Sequence, residues 1–234
     1  MQYKTELHAH TKEISRCATI SAKDAASIYM EAGYRTVVLT NHYCDYGFDI
    51  TRSWEDNIKR YLDPIREMQA YAGDRMTVLP GAEVRVHKNI NDYLILGVDE
   101  EFFLEYRYLF RLELKTIARM VHDHGGLLIQ AHPFRNGMTV VKEELLDGYE
   151  VFNGASGHES RNRFTNTWAK ELGMIRTSGS DFHHVSLPTG GILTDTPITT
   201  TQQIAKTLRS GNYSLICTGA IAERDGMQTM PAKE

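Results

Sequence analysis

The sequence predicts one α/β domain built on a parallel sheet, and three observations carry that prediction. Short runs rich in β-branched and aliphatic residues alternate with helix-like segments along most of the 234 residues, the pattern of strands joined by helical crossovers. No stretch rich in Pro, Gly or Ser divides the chain, and neither a repeat nor a low-complexity tract interrupts it. This length accommodates one α/β barrel or two small domains, and the absence of a linker favours one.

The elements follow in order. A first strand ends in Leu7-His-Ala-His10, and a helix over residues 22–32 has Ser21 as its N-cap and Gly33 as its stop. Residues 36–42 form a β-branched strand. An amphipathic helix is expected from about Trp54 to Tyr71, interrupted or entered near Pro64. Strands are expected over 76–83 and 93–97, then one long helix over 101–124, stopped by Gly125-Gly126. That glycine pair is a helix stop and not a phosphate loop, because no Gly-Lys-Ser/Thr follows it. The aromatic residues 102–110 read as a helix face packed on its neighbours. A strand over 127–132 is halted by Pro133, and strands over 149–153 and 174–181 flank a helix over 161–172. A last helix over 201–209 enters at the threonine run 199–201 and leads into a strand over 213–217. The domain is read as residues 1–224, and the polar segment 225–234 as a flexible tail.

Composition narrows the function classes. The chain is 41% hydrophobic and 24% charged with a formal net charge of −4, which argues against binding a nucleic-acid backbone beyond a short nucleotide. Cys17, Cys44 and Cys217 stand alone without a C-x-x-C pair, so neither a disulfide framework nor a zinc finger is expected, and a reducing compartment fits. No apolar run approaches the ~20 residues of a membrane span. The polar N-terminus enters a strand at once, so no signal peptide is expected and the cytoplasm is the expected location. Oligomeric state is not legible.

The chemistry lies at the strand ends. Side chains two residues apart in a strand share a face, so His8 and His10 can hold one metal ion. His42, Glu83, His132 and the pair Asp181 and His183 end further strands. Active sites of parallel barrels sit at that end of the strands, and these ligand types suit Zn, Mn or Fe. Any one of these histidines, taken alone, reads as a structural residue. The set of them does not, because His87, His122, His124, His158 and His184 fall in loops or helices instead.

Leu7-His-Ala-His10, Thr40-Asn-His42, Pro80-Gly-Ala-Glu83, Ala131-His-Pro133 and Gly179-Ser-Asp-Phe-His183 occur in the order of the motifs of the PHP (polymerase and histidinol phosphatase) superfamily, which the chain resembles over about residues 5–185. The resemblance implies a distorted (β/α)7 TIM-like barrel, as a single domain, that binds two or three divalent metal ions and cleaves phosphate esters. By motif, His8, His10, Glu83 and Asp181 would hold the first metal. Glu83 would bridge to a second, also bound by His132. His42 and His183 would hold a third with an acidic or histidine residue from the loop after His10. Glu13 is the candidate there, being the only acidic residue in 11–20, with a solvated loop carboxylate as the other reading. Two departures stand out. Tyr93-Leu-Ile-Leu-Gly97 lacks the histidine that many members place there, for which His87 is a weak substitute. Asn41 replaces an Asp before His42, and its amide can still orient a neighbouring imidazole.

A hydroxide bridging two metals is the expected nucleophile. Arg135 is either a phosphate clamp or a surface arginine, and Tyr43 and His184 are candidate proton donors. The leading expectation is a stand-alone phosphoesterase acting on a small phosphorylated metabolite or nucleotide. A histidinol-phosphatase-type phosphomonoesterase, a metal-binding regulatory module with impaired catalysis and a metal-dependent amide or lactone hydrolase are the alternatives.

Overall fold

Several turns between elements are set by a local cap or a close approach. In the computed structural model, which describes residues 2–233, β1 (Tyr3–Ala9) is followed by α1 (Ala22–Glu31). Ser21 Oγ caps that helix by accepting from Asp24 N–H. β2 (Tyr34–Leu39) lies parallel to β1, and β3 (His42–Tyr43) follows two residues later. α2 (Trp54–Ala72) is capped by Ser53 and runs unbroken through Pro64. β4 (Thr77–Pro80) and β5 (Ala82–Arg85) are separated at Gly81, where a Cβ would come 2.7 Å from Val38 Cγ1. β6 (Asp92–Leu96), α3 (Glu100–Glu105), α4 (Leu114–Asp123) and β7 (Leu127–Gln130) come next. β8 (Gly148–Asn153), α5 (Asn162–Glu171), β9 (Ile175–Gly179) and β10 (Ile192–Thr194) continue the alternation. α6 (Thr201–Ser210) starts on a reciprocal capping box between Thr200 and Gln203. β11 (Ser214–Leu215), α7 (Gly219–Asp225) and β12 (Met230–Pro231) complete the described chain.

The strands form two six-stranded sheets, in the orders β12-β11-β10-β1-β2-β4 and β3-β5-β6-β7-β8-β9. The pairs β2/β3 and β4/β5 each step from one sheet to the other. A parallel bridge between Ala9 and Phe182 ties the end of β1 to the segment after β9, with His10 N–H donating to Phe182 O at 2.9 Å. The barrel expectation is therefore met at the coarser level of a mixed α/β fold with two sheets.

The uniformly parallel sheet needs correcting. β6 runs antiparallel to both β5 and β7. The connection from Arg85 to Asp92 is too short for a crossover, which takes a dozen residues or more. The single helix expected over 101–124 is α3 and α4, parted by Tyr108 at φ 50° and a short 3-10 turn at Leu109–Arg111. The apolar spacing there does suit one helix. The break instead carries Tyr108 onto Trp54 and Phe110 onto Phe48, with ring centroids 4.7 and 5.4 Å apart, so aromatic packing overrides periodicity.

The segment expected as a loose tail also differs. β12 pairs antiparallel with β11, and the buried Arg176 of β9 donates to Pro231 O and Ala232 O. Among the described residues no helix is long and apolar enough to cross a membrane. Replacing Arg176 with Met removes these charged donors and is expected to lower unfolding free energy by ~2 kcal/mol, read from the urea midpoint, and to open the chain beyond Arg224 to proteolysis.

Candidate metal centre

His8 and His10 leave β1 on one face, both fully buried. His8 Nδ1 lies 2.7 Å from Glu150 Oε1 on β8. A carboxylate only accepts, so this nitrogen carries the proton and Nε2 is the atom turned to Glu83 Oε1 (3.3 Å) and Asp181 Oδ1 (3.4 Å). His10 Nδ1 meets Ser15 Oγ at 3.0 Å. The Ser15 hydroxyl donates to Asn41 Oδ1, so it accepts from His10 and leaves His10 Nε2 3.4 Å from both Glu83 Oε2 and Asp181 Oδ1. Asn41 thus steadies His10 through Ser15, a longer route than direct contact with the adjacent His42.

Glu83 on β5 is the pivot. Oε1 is 3.1 Å from His132 Nε2, and Oε2 is 2.8 Å from His42 Nδ1. Burial opposes its ionisation, but His8, His42 and His132 outweigh it and hold the carboxyl well below its ordinary pKa. Burial likewise opposes ionisation of Asp181, and His8, His10, His183 and Arg135 overcome it. The His8 imidazole is held well above its ordinary value despite burial, because Glu150, Asp181 and Glu83 converge on it. His10 is pushed well below by burial and by His183 and His42.

The backbone is bent to serve this convergence. His132 and Asp181, each just past a strand, take φ 29° and 49°, a conformation that costs a non-glycine residue free energy and gathers at functional sites. His132 N–H donates to Glu150 Oε2 at 3.1 Å. Asp181 Oδ2 accepts from Arg135 at 2.7 Å and from Asn153 Nδ2 at 3.1 Å. His183 stacks on His10 with ring centroids 4.1 Å apart.

Three groups of donor atoms come within 4.8 Å of one another and could each hold a metal ion: His8, His10 and Asp181; Glu83, Asp92 and His132; and His10, His42 and His183. The fit has a second sign. Among the described residues His8 Nε2, His10 Nε2 and His132 Nδ1 are buried without a hydrogen-bond partner, and Glu83 Oε2 has only its ion-pair contacts with His42 Nδ1 and His10 Nε2; so many under-satisfied atoms in one place call for a cation.

The expected ligands His8, His10, His42, Glu83, His132, Asp181 and His183 are thus brought together, but Glu13 is not. Glu13 Oε1 accepts from Ala22 N–H at the start of α1, drawn there by the unpaired amides of a helix N-terminus. Tyr43 is also misplaced as a proton donor. As a strand neighbour of His42 it points to the opposite face, fully buried among Phe48, Tyr61, Phe103 and Phe110. Arg135 and His184 line the cleft of about 800 Å³ above the cluster, and His184 Nδ1 meets Thr19 Oγ1 at 2.9 Å. His87 pairs with Asp45 at the surface.

Three residues escaped sequence reasoning. Asp92 opens β6, buried, 3.9 Å from His132 Nε2 and paired with Arg85. Burial and the nearby Glu83 raise its pKa. Glu150 had a signal, a carboxylate inside the apolar strand 149–153. Cys17 had none, and its Sγ lies 3.2 Å from His42 Nε2. Burial opposes its ionisation, but His183 and His42 bring the thiol down to about 6.

No family model matches the chain, and no curated protein does. Solved structures share its fold. A two-domain protein from Bacteroides vulgatus ATCC 8482, containing a predicted PHP-like metal-dependent phosphoesterase, superposes with TM-score 0.67 at 16% identity, over 92% of this chain and 64% of that one. The lesion-specific endonuclease PfuEndoQ from Pyrococcus furiosus gives 0.63 at 16% identity, over 92% and 58%. An amidohydrolase from Chromobacterium violaceum, with bound sulfate and no metal, gives 0.54 at 16% identity, over 89% and 96%. The chain shares the fold of these proteins, one of which contains a predicted PHP-like metal-dependent phosphoesterase, and it spans less than two thirds of the first two.

Glu150→Gln is expected to weaken metal binding ~10–100-fold by loosening His8, measured by chelator competition. In the same assay Asp92→Asn should lose one bound metal per chain, while Glu13→Gln should keep the full complement.

Proposed function

We propose that the chain hydrolyses phosphate esters of a small metabolite or nucleotide with two or three divalent ions, Zn, Mn or Fe. The observation that carries this reading is the ring of buried, under-satisfied imidazole and carboxylate atoms around Glu83, opening into a cleft that Arg135 lines. His8, His10, Asp181 and Glu83 would hold one ion, and Glu83, His132 and Asp92 a second, with Asp92 in place of the histidine missing near Leu94. His42 and His183 would serve a third. Such ions supply Lewis acidity at phosphoryl oxygens and lower the pKa of coordinated water towards ~7.

The protein's own part is positioning. Asp181, Asn153 and Ser160 take hydrogen bonds from the Nε and one terminal nitrogen of Arg135. The other terminal nitrogen makes none among the described residues, so its donors are free to bind a phosphate oxygen without reorganising. His184, on the cleft wall, would protonate a leaving alkoxide. The Chromobacterium amidohydrolase shares this fold and was solved with bound sulfate. Its amidohydrolase description makes amide cleavage the second reading, and PfuEndoQ keeps short DNA among the substrates to be tried.

The test is turnover by chelator-stripped protein reloaded with Mn, Zn or Fe, against phosphomonoesters, phosphodiesters, oligonucleotides and amides. Phosphate-ester cleavage is expected, abolished by chelator and by Asp181→Ala. Arg135→Ala should lower kcat/KM about 10²-fold. No turnover with any metal would sink the enzyme reading, and amide cleavage indifferent to Arg135→Ala would favour the amidohydrolase.

A further inference from the structure

We propose that Cys17 is a metal ligand, and that its thiolate joins His42 and His183 in a two-histidine, one-cysteine position taking a thiophilic divalent ion, zinc or cobalt in preference to manganese. This rests on the metal-dependent reading above and adds to it a sulfur ligand that the sequence motifs do not contain.

The loop after β1 is built to present this sulfur. Lys12 N–H donates to Ile20 O at 2.8 Å and Ala18 N–H to Ser15 O at 2.9 Å, which folds residues 11–20 back on themselves. Thr19 N–H then donates to His183 O at 2.9 Å, fastening the loop to the backbone of one expected ligand. Within the loop Glu13 is turned away to α1 and Ser15 Oγ holds His10 Nδ1, while the Cys17 side chain reaches His42. Its Sγ is 3.2 Å from His42 Nε2, and Cys17, His42 and His183 all line the cleft.

His42 is prepared for the same role. Its Nδ1 is 2.8 Å from Glu83 Oε2, and a carboxylate on one ring nitrogen fixes the imidazole so that the other, here the one facing sulfur, is the donor. An independent sign of a ligand is the buried His10 Nε2, which has no hydrogen-bond partner and belongs to a ring that lies 4.5 Å from His42 and 4.1 Å from His183 by centroid. Thiolate with imidazole is a ligand set of zinc and its surrogate cobalt, whereas manganese favours oxygen. Binding would release the thiol proton to solvent. Cys44 and Cys217 are buried, and neither lines the cleft.

The experiment uses the full chain, reduced and stripped of metal, titrated with Co²⁺. The near-ultraviolet thiolate-to-cobalt charge-transfer band is expected to rise in the wild type and in Cys44→Ser. It should vanish in Cys17→Ser, which should also bind one cobalt fewer per chain. Zn²⁺ should protect Cys17 from alkylation, followed by peptide mass spectrometry, and Mn²⁺ should protect it less. Cobalt bound without the band, or a band that survives Cys17→Ser, would overturn the sulfur ligand while leaving the metal-dependent reading intact. Failure of the wild type to bind cobalt at all would overturn both.

Discussion

A carboxylate with almost no access to water, Glu83, sits among four imidazoles, and the architecture around it follows from keeping that charge compensated. His8, His10, His42 and His132 each place a ring nitrogen within 3.4 Å of it. They arrive from the ends of β1 and β7 and from β3, so the sheets must bring those strand ends together at one place. A buried carboxylate without such partners would be driven to its neutral form. Here the surrounding rings reverse that pressure, and the unpartnered atoms that remain are those suited to a bound cation.

Behind this ring lies an outer set of hydrogen bonds with one common effect. Glu150 holds His8, Ser15 with Asn41 holds His10, and Arg135 with Asn153 holds Asp181. Each fixes which nitrogen or oxygen faces inward, so orientation is settled before any ligand arrives. The positive φ at His132 and Asp181 is the backbone counterpart of this fixing.

The α/β class and most of the central ring were legible because they depend on short-range rules: the i, i+2 geometry of a strand and the placement of chemistry at strand ends. The same rule, applied to Tyr43, would have removed it, since a residue next to an inward His42 faces outward. What was not legible depends on contacts between distant segments. Glu150 lies 142 residues from His8, and nothing local to either reveals the pairing. Glu13 was favoured by charge alone, whereas the fold-back of residues 11–20 decides which side chain reaches the cluster. The antiparallel setting of β6 was hidden for a different reason: a buried strand looks alike in either direction.

β9 connects two features at opposite ends. Near its start Arg176 grips the carbonyls of the C-terminal strand, and just beyond its finish Asp181 faces the imidazoles. A strand clamped at one end and spent on coordination at the other has little freedom to slide. Adjustment to substrates of different size would therefore fall to the segment after His184, where Val185 and Leu187 line the cleft and stand largely in solvent at 77% and 78% exposure. Breadth of substrate choice in this protein would then be a property of a few apolar side chains at the rim, and it could be retuned without touching the residues that hold charge.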